Sequence, residues 1–194
     1  MNTIIRPAII LFIIMTLLTG IAYPFSVTGI AHLLFSEQAA GSLVNIDGHP
    51  VGSRIIGQAF SDPKYFWSRP SATAPQPYNA IASSGSNQGP LNPALTDTIK
   101  TRIGALKAAD PTNTLPIPVD LVTASASGLD PEISIAAARY QAARVARIRG
   151  LAPERVQSLI DAHAQGRLFG LIGEPRVNVL EINLALDARS SPAR

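Results

Sequence analysis

Pro7-Ala8-Ile9-Ile10-Leu11-Phe12-Ile13-Ile14-Met15-Thr16-Leu17-Leu18 opens a stretch, continuing to Ala31, that contains no Asp, Glu, Lys, Arg or His. A helix needs about 20 apolar residues to cross the hydrocarbon core of a bilayer. A lone segment in lipid must also pair its own backbone groups, which a helix does. Ala8 to about Ile30 meets both demands, with Tyr23 and Phe25 near one boundary. The stretch divides the chain: residues 1–34 are expected to be a membrane anchor, residues 35–187 one soluble domain, and residues 188–194 a flexible tail. Two other readings stay open, a signal peptide cleaved near Gly20-Ile21-Ala22 and a helix buried in a soluble core.

Arg6 precedes the apolar run, and Glu37 and Asp47 are the first charges beyond it. Positive charge is retained on the cytoplasmic side, so the expected orientation is N-terminus inside and domain outside. A single span without an ionisable group does not line a polar route alone. The chain is therefore not expected to be a transporter alone, and a place as a subunit of one stays open.

With 194 residues there is material for one domain, and 46% apolar residues supply a core. Only 15% are charged, in keeping with a chain partly outside water. The net charge is +3, and six of the sixteen basic residues lie between Arg139 and Arg167. A basic helix surface accounts for that cluster as well as nucleic acid would, and no nucleic-acid partner is expected. The absence of Cys excludes disulfides, thiolate zinc sites and Cys nucleophiles.

Beyond the anchor, Gly41 to Phe60 reads as short strands around an Asp47-Gly48 turn. Ser61 to Asn92 reads as a long loop, and Pro70 to Thr96 contains no charged residue. Tyr65, Phe66, Trp67, Tyr78 and Ile81 argue for an ordered loop packed on the domain or on a partner. Asn92-Pro93 begins a helix, with Asn as N-cap and Pro at N1. Leu95, Ile99, Ile103 and Leu106 share one of its faces, and Asp110-Pro111 ends it. Val119 to Thr123 reads as a short strand, and Ser125 to Pro131 as a turn into the next helix. That helix has Ser134 as N-cap and Gly150 as its terminator. Ile135, Ala138, Ala142 and Val145 form its apolar stripe, with Tyr140, Arg144 and Arg147 on the far side. A further helix from Pro153 to Gly166 turns Val156, Leu159 and Ile160 inward. Leu180, Ile182, Leu184 and Leu186 alternate with Glu181, Asn183, Ala185 and Asp187, the pattern of a half-buried strand, though a short helix is also compatible. The fold class is therefore α+β, one N-terminal transmembrane helix followed by a single mixed extracytoplasmic domain.

Catalytic signatures are missing. No two Gly are spaced i, i+2 and no Gly-Lys pair exists, so neither the dinucleotide fingerprint nor the phosphate loop is present. No G-x-S-x-G elbow occurs. His32, His49 and His163 lack metal-ligand spacing. The helices flanking Gly150 have the outline of a helix-turn-helix, but the second carries Glu154 and Asp161 against Arg155. No catalytic residue and no metal ligand are expected.

Four motifs stand in order: Gly52-Ser53-Arg54-Ile55-Ile56-Gly57-Gln58-Ala59-Phe60 followed by Tyr65-Phe66-Trp67-Ser68-Arg69-Pro70; Tyr78-Asn79 with Ser84-Gly85-Ser86-Asn87; Pro118-Val119-Asp120-Leu121 running through Ser125-Ala126-Ser127-Gly128-Leu129-Asp130-Pro131 to Tyr140-Gln141 and Arg144; and Val177-Asn178-Val179-Leu180-Glu181-Ile182-Asn183-Leu184. Together they resemble the C-subunit family (KdpC) of the bacterial Kdp potassium-transporting ATPase, over nearly the whole chain. Glu132 and Ile135 depart from residues common in that family.

The resemblance implies an accessory, non-catalytic subunit of a high-affinity potassium import complex in the bacterial inner membrane. Its implied partners are a potassium-selecting channel-like subunit, a P-type ATPase subunit, a small membrane peptide and the lipid bilayer. It also implies a catalytic chaperone that raises the ATP affinity of the ATPase subunit, with ATP bound only together with that subunit. Gln141 matches the family Gln linked to nucleotide, beside the turn of Ser125, Ser127 and Gly128. Tyr78, Asn79, Ser86 and Asn87, on the charge-free loop, are the candidates for partner contact. The runner-up function is a membrane-anchored extracytoplasmic binding module of another system.

Overall fold

The computed structural model describes residues 2–190, with side chains from 4 to 188. These residues form two compact units that part between Leu43 and Val44. Residues 191–194, the end of the stretch read as a tail, lie outside the described residues.

The first unit is built on α1 (Asn2–Leu17), a π turn (Leu18–Ala22) and α2 (Tyr23–Leu34). Ile4–Leu34 is a helix of 31 residues, long and apolar enough to cross a membrane, and none of its most apolar window is buried. Pro24 explains the π turn. Its missing N–H leaves the helix without one i→i−4 bond, and the Tyr23 N–H reaches back five residues to Leu18 O. Two hydroxyls are satisfied within the helix, Thr19 Oγ1 donating to Met15 O (2.7 Å) and Ser26 Oγ to Ala22 O (2.7 Å). A short α3 (Ser36–Ala39) follows.

The hairpin expected around Asp47-Gly48 is present: β1 (Leu43–Ile46) and β2 (His49–Ser53) form a two-stranded sheet. Asp47 and Gly48 have φ of 50° and 79°, the doubly left-handed geometry of a tight hairpin. Ser61 to Asn92 contains one short 3-10 turn, Ala80–Ala82. α4 (Pro93–Ala109) begins as the sequence predicts, with the Asn92 side chain accepting from Ala94 N and the helix ending at Asp110.

Val119–Leu121 is a 3-10 turn, which corrects the predicted strand. It serves the next helix. Asp120 accepts from Ser134 N (2.8 Å) and from Ser134 Oγ (3.2 Å), and Ser134 Oγ accepts from Ala137 N (3.0 Å). The N-cap is thus itself held. Between the Ser125–Pro131 turn and α5 (Ile135–Arg149) lies β3 (Glu132–Ser134), which the sequence reading missed. α5 ends at Gly150 (φ 63°), and Leu151 N donates to Ala146 O, closing the C-terminal motif.

α6 (Pro153–His163) buries Val156, Leu159 and Ile160 as expected, but it stops at His163, before Gly166. β4 (Ala164–Gln165) and β5 (Arg176–Asn178) complete an antiparallel sheet of order β3-β5-β4, with Ile133 opposite Val177 and Ala164 opposite Val177. The segment read as a strand, Leu180 to Leu186, is instead α7 (Val179–Ser190). Asn178 Oδ1 accepts from Glu181 N (3.1 Å), a cap that opens the helix. Val179, Ile182, Asn183 and Leu186 are buried at i, i+3, i+4, i+7 spacing. This helical period outweighs the alternation, because Leu184 and Ala185 are both half-buried. The class is α+β, as the sequence predicts.

Candidate functional site

The residues singled out by sequence fall in two places, and the first is a stretch of loop held by side chains. Phe66 is fully buried. Asn183 of α7 accepts from Phe66 N (2.9 Å) and donates Nδ2 to Phe66 O (2.9 Å). Gln141 of α5 does the same one residue on, accepting from Trp67 N (2.8 Å) and donating Nε2 to Trp67 O (3.1 Å). Two buried amides replace a strand partner for two consecutive residues, so the loop backbone enters the core without unpaired groups.

The arginines of α5 extend the grip. Arg144 is 2% exposed, donates to Pro63 O and, through Nη2, to Gln141 Oε1 (2.7 Å), and lies over the Trp67 ring at 4.7 Å. Burial pushes its guanidinium down to about 10. Arg149 donates Nε to Lys64 O (2.8 Å), pairs with Asp187 (2.8 Å) and stacks on Tyr65 (4.8 Å). The Tyr65 hydroxyl donates to the same Asp187 (2.8 Å).

This arrangement corrects the reading of α5. Tyr140 and Arg144 are both buried, Arg144 beneath the loop it grips at Pro63 and Trp67. Arg147 is exposed as predicted and pairs with Asp110 (2.8 Å). Arg139 pairs with Asp161 and Arg167 with Glu174. Much of the basic cluster is engaged within the domain. Asn183, which the alternating pattern puts on the polar side of a strand, is not among the site residues expected from sequence, although its i+4 position after Val179 on a capped helix is a readable signal.

The second place is the turn at Ser125–Gly128, which is a docking seat for the charge-free loop. Ser125 Oγ accepts from Gly128 N (2.9 Å) and Ser127 Oγ from Leu129 N (3.1 Å), so both hydroxyls cap their own turn. β3 separates this turn from α5, so it does not lie at that helix's N-terminus. Ser71 Oγ donates to Gly128 O (2.7 Å) and accepts from Tyr78 N (2.9 Å). Ser84 N and Ser83 Oγ both donate to Ser127 O (3.0 Å each). Gly128 (φ 68°) has no room for a side chain: a Cβ there would lie 2.6 Å from Ser84 O and from Thr73 Cγ2.

Tyr78 and Asn79, expected at a partner contact, are mostly used internally. Tyr78 is half-buried, its hydroxyl donates to Arg69 O, and desolvation raises the phenol above its ordinary value. Asn79 N donates to Thr73 Oγ1 (3.0 Å), and its amide donates to Ala74 O (3.0 Å) and caps Ile81 N (3.1 Å). Ser86 and Asn87 are exposed, as are Ile81 (99%) and Leu91 (95%) on the same loop. The structure brings Ser125, Ser127 and Gly128 together with Tyr78 and Asn79. The hydrogen bonds of Gln141 go elsewhere, to Trp67 and Arg144. Removing the Ser71 hydroxyl orphans Gly128 O and Tyr78 N, so Ser71→Ala is expected to cost about 2 kcal/mol, measurable by denaturant unfolding of the full chain in detergent.

Comparison with known proteins agrees with the motifs. The family model for the c chain of the K+-transporting ATPase (KdpC) matches residues 5–188. A potassium-transporting ATPase KdpC subunit of Herminiimonas arsenicoxydans is 66% identical over 96% of this chain and 98% of its own length. Its counterpart in Variovorax paradoxus is 66% identical over 98% of this chain and 99% of its own length. The one in Herpetosiphon aurantiacus is 62% identical over 96% and 97% respectively.

Proposed function

The chain belongs to the KdpC family, the c chain of the K+-transporting ATPase, and from that premise we propose that it is an accessory, non-catalytic subunit of an ATP-driven potassium import complex. The helix Ile4–Leu34 spans the plasma membrane once, with its N-terminus cytoplasmic and the α+β domain outside. The length and apolar composition of that helix support the span. Arg6 before it and Glu37 and Asp47 beyond it support the orientation. The subunit steadies the complex and raises the ATP affinity of the ATPase subunit by coupling through the assembly. ATP itself is held by the ATPase subunit.

The observation that carries the indirect route is the commitment of Gln141. Its side chain is 1% exposed and already makes three hydrogen bonds, two to Trp67 and one to Arg144. A nucleotide reaching it would have to displace the loop and leave a buried guanidinium without its acceptor. Gln141 acts through the fold: it sets the loop, and the loop shapes the surface offered to partners. The test is ATPase activity of the complex assembled with and without this chain, over a range of ATP, combined with a photoreactive ATP analogue. We expect a several-fold higher KM for ATP without the chain and label on the ATPase subunit alone. Label on this chain near Gln141, or an unchanged KM, would overturn the reading.

A further inference from the structure

β4 and β5 are joined by residues 166–175, and the tip of that connection hydrogen-bonds to itself. Leu168 N donates to Ile172 O (2.8 Å), Gly170 N to Arg167 O (3.0 Å), Leu171 N to Leu168 O (3.1 Å) and Ile172 N to Leu168 O (3.0 Å). Phe169 (φ 54°) and Gly170 (φ 74°) reverse the chain. The backbone is thus largely satisfied within the tip, while its large side chains point away from the domain. Leu168, Phe169, Leu171 and Ile172 are 58%, 86%, 82% and 63% exposed. No charge lies between Leu168 and Gly173, and the base is closed by Arg167–Glu174 (3.1 Å).

Four large apolar side chains clustered on a self-bonded turn are a contact surface. Elements that lie on membranes surround their apolar residues with unpaired cations. Here the one cation of residues 166–175, Arg167, is matched by Glu174, whose side chain is 81% exposed and would face anionic headgroups. Charge depletion at the centre of a patch is the mark of a protein interface. We propose that the Leu168–Ile172 tip seats in an uncharged, apolar cleft on a partner subunit of the K+-transporting ATPase. This inference rests on the accessory-subunit reading.

The chain has no Cys, so Phe169→Cys takes a single environment-sensitive fluorophore. The full chain is measured alone in vesicles of phosphatidylethanolamine with phosphatidylglycerol, and again in the assembled pump. The tip is expected to be water-exposed in vesicles, then blue-shifted and shielded from iodide on assembly. In parallel, the pair Phe169→Asp with Leu171→Asp should weaken assembly about tenfold or more, as loss of a central apolar anchor does, without changing thermal unfolding of the chain. A blue shift in vesicles alone, with quenching by lipid-borne nitroxides, would assign the tip to lipid and overturn the proposal. A tip that stays wet in a complete assembly would overturn it while leaving the accessory role intact. Failure of the unaltered chain to assemble with pump subunits would remove both.

Discussion

Gln141→Leu lowers the thermal unfolding midpoint of the chain by roughly 10 °C. The substitution leaves Trp67 N, Trp67 O and Arg144 Nη2 without partners in the interior. Each orphaned buried group costs about 1–3 kcal/mol, partly relieved by local relaxation, so the total is on the order of 4 kcal/mol. For a domain of this size about 1 kcal/mol corresponds to roughly 2–4 °C. Calorimetry of the full chain in detergent measures it. Gln141→Glu keeps an acceptor for Trp67 N and Arg144 and loses only the donor to Trp67 O, so its midpoint falls less. A residue reserved for nucleotide would behave otherwise: both variants would melt like the parent and differ only in the ATP response of the pump.

Gly128→Val costs about 4 kcal/mol or more. Part is backbone strain, since φ is 68° and a left-handed residue with a β-carbon loses roughly 1–2 kcal/mol. The remainder is collision with Ser84 O and Thr73 Cγ2, which are parts of the docked loop and cannot both withdraw while Ser84 N holds Ser127 O. Gly150→Ala provides the control. Its φ is 63°, but nothing lies within 4 Å of the added carbon, so only the strain of about 1 kcal/mol is expected. Chemical denaturation of the two variants separates strain from collision. Limited proteolysis between Ser83 and Gln88 should be faster in Gly128→Val alone.

The parts of the fold legible in the sequence are those with a local cause. The uncharged run to Ala31, the Asp47-Gly48 turn, the Asn92-Pro93 start and the Ser134 and Gly150 caps each follow from a few adjacent residues. The burial of Arg144 is not legible in the sequence, because a charge on a helix usually faces water. Its burial depends on the Trp67 ring and the Pro63 carbonyl, 81 residues away in sequence for the latter. α7 reads first as a strand, with a helix as the alternative, because Leu180 to Leu186 satisfies two periods at once, and the Asn178–Glu181 cap decides for the helix. Of the candidate site, the sequence singles out the Ser125–Gly128 turn for nucleotide and the Tyr78–Asn79 segment for partner contact, and the structure joins the two to each other through Ser71. That they bind each other was not legible, since Ser71 Oγ joins them across 57 residues.

The grip of Gln141 and Asn183 on Trp67 and Phe66 also imposes a schedule on biogenesis. The contacts span 74 and 117 residues. During synthesis the apolar helix emerges first, and residues 63–67 follow long before the amides that hold them. Until Asn183 has left the ribosome, Phe66 has no backbone partner from α7, so the final third of the chain determines when the middle becomes ordered. A nascent chain arrested before α7 should therefore expose its Tyr65–Trp67 segment to chaperones, and release of a few more residues should withdraw it.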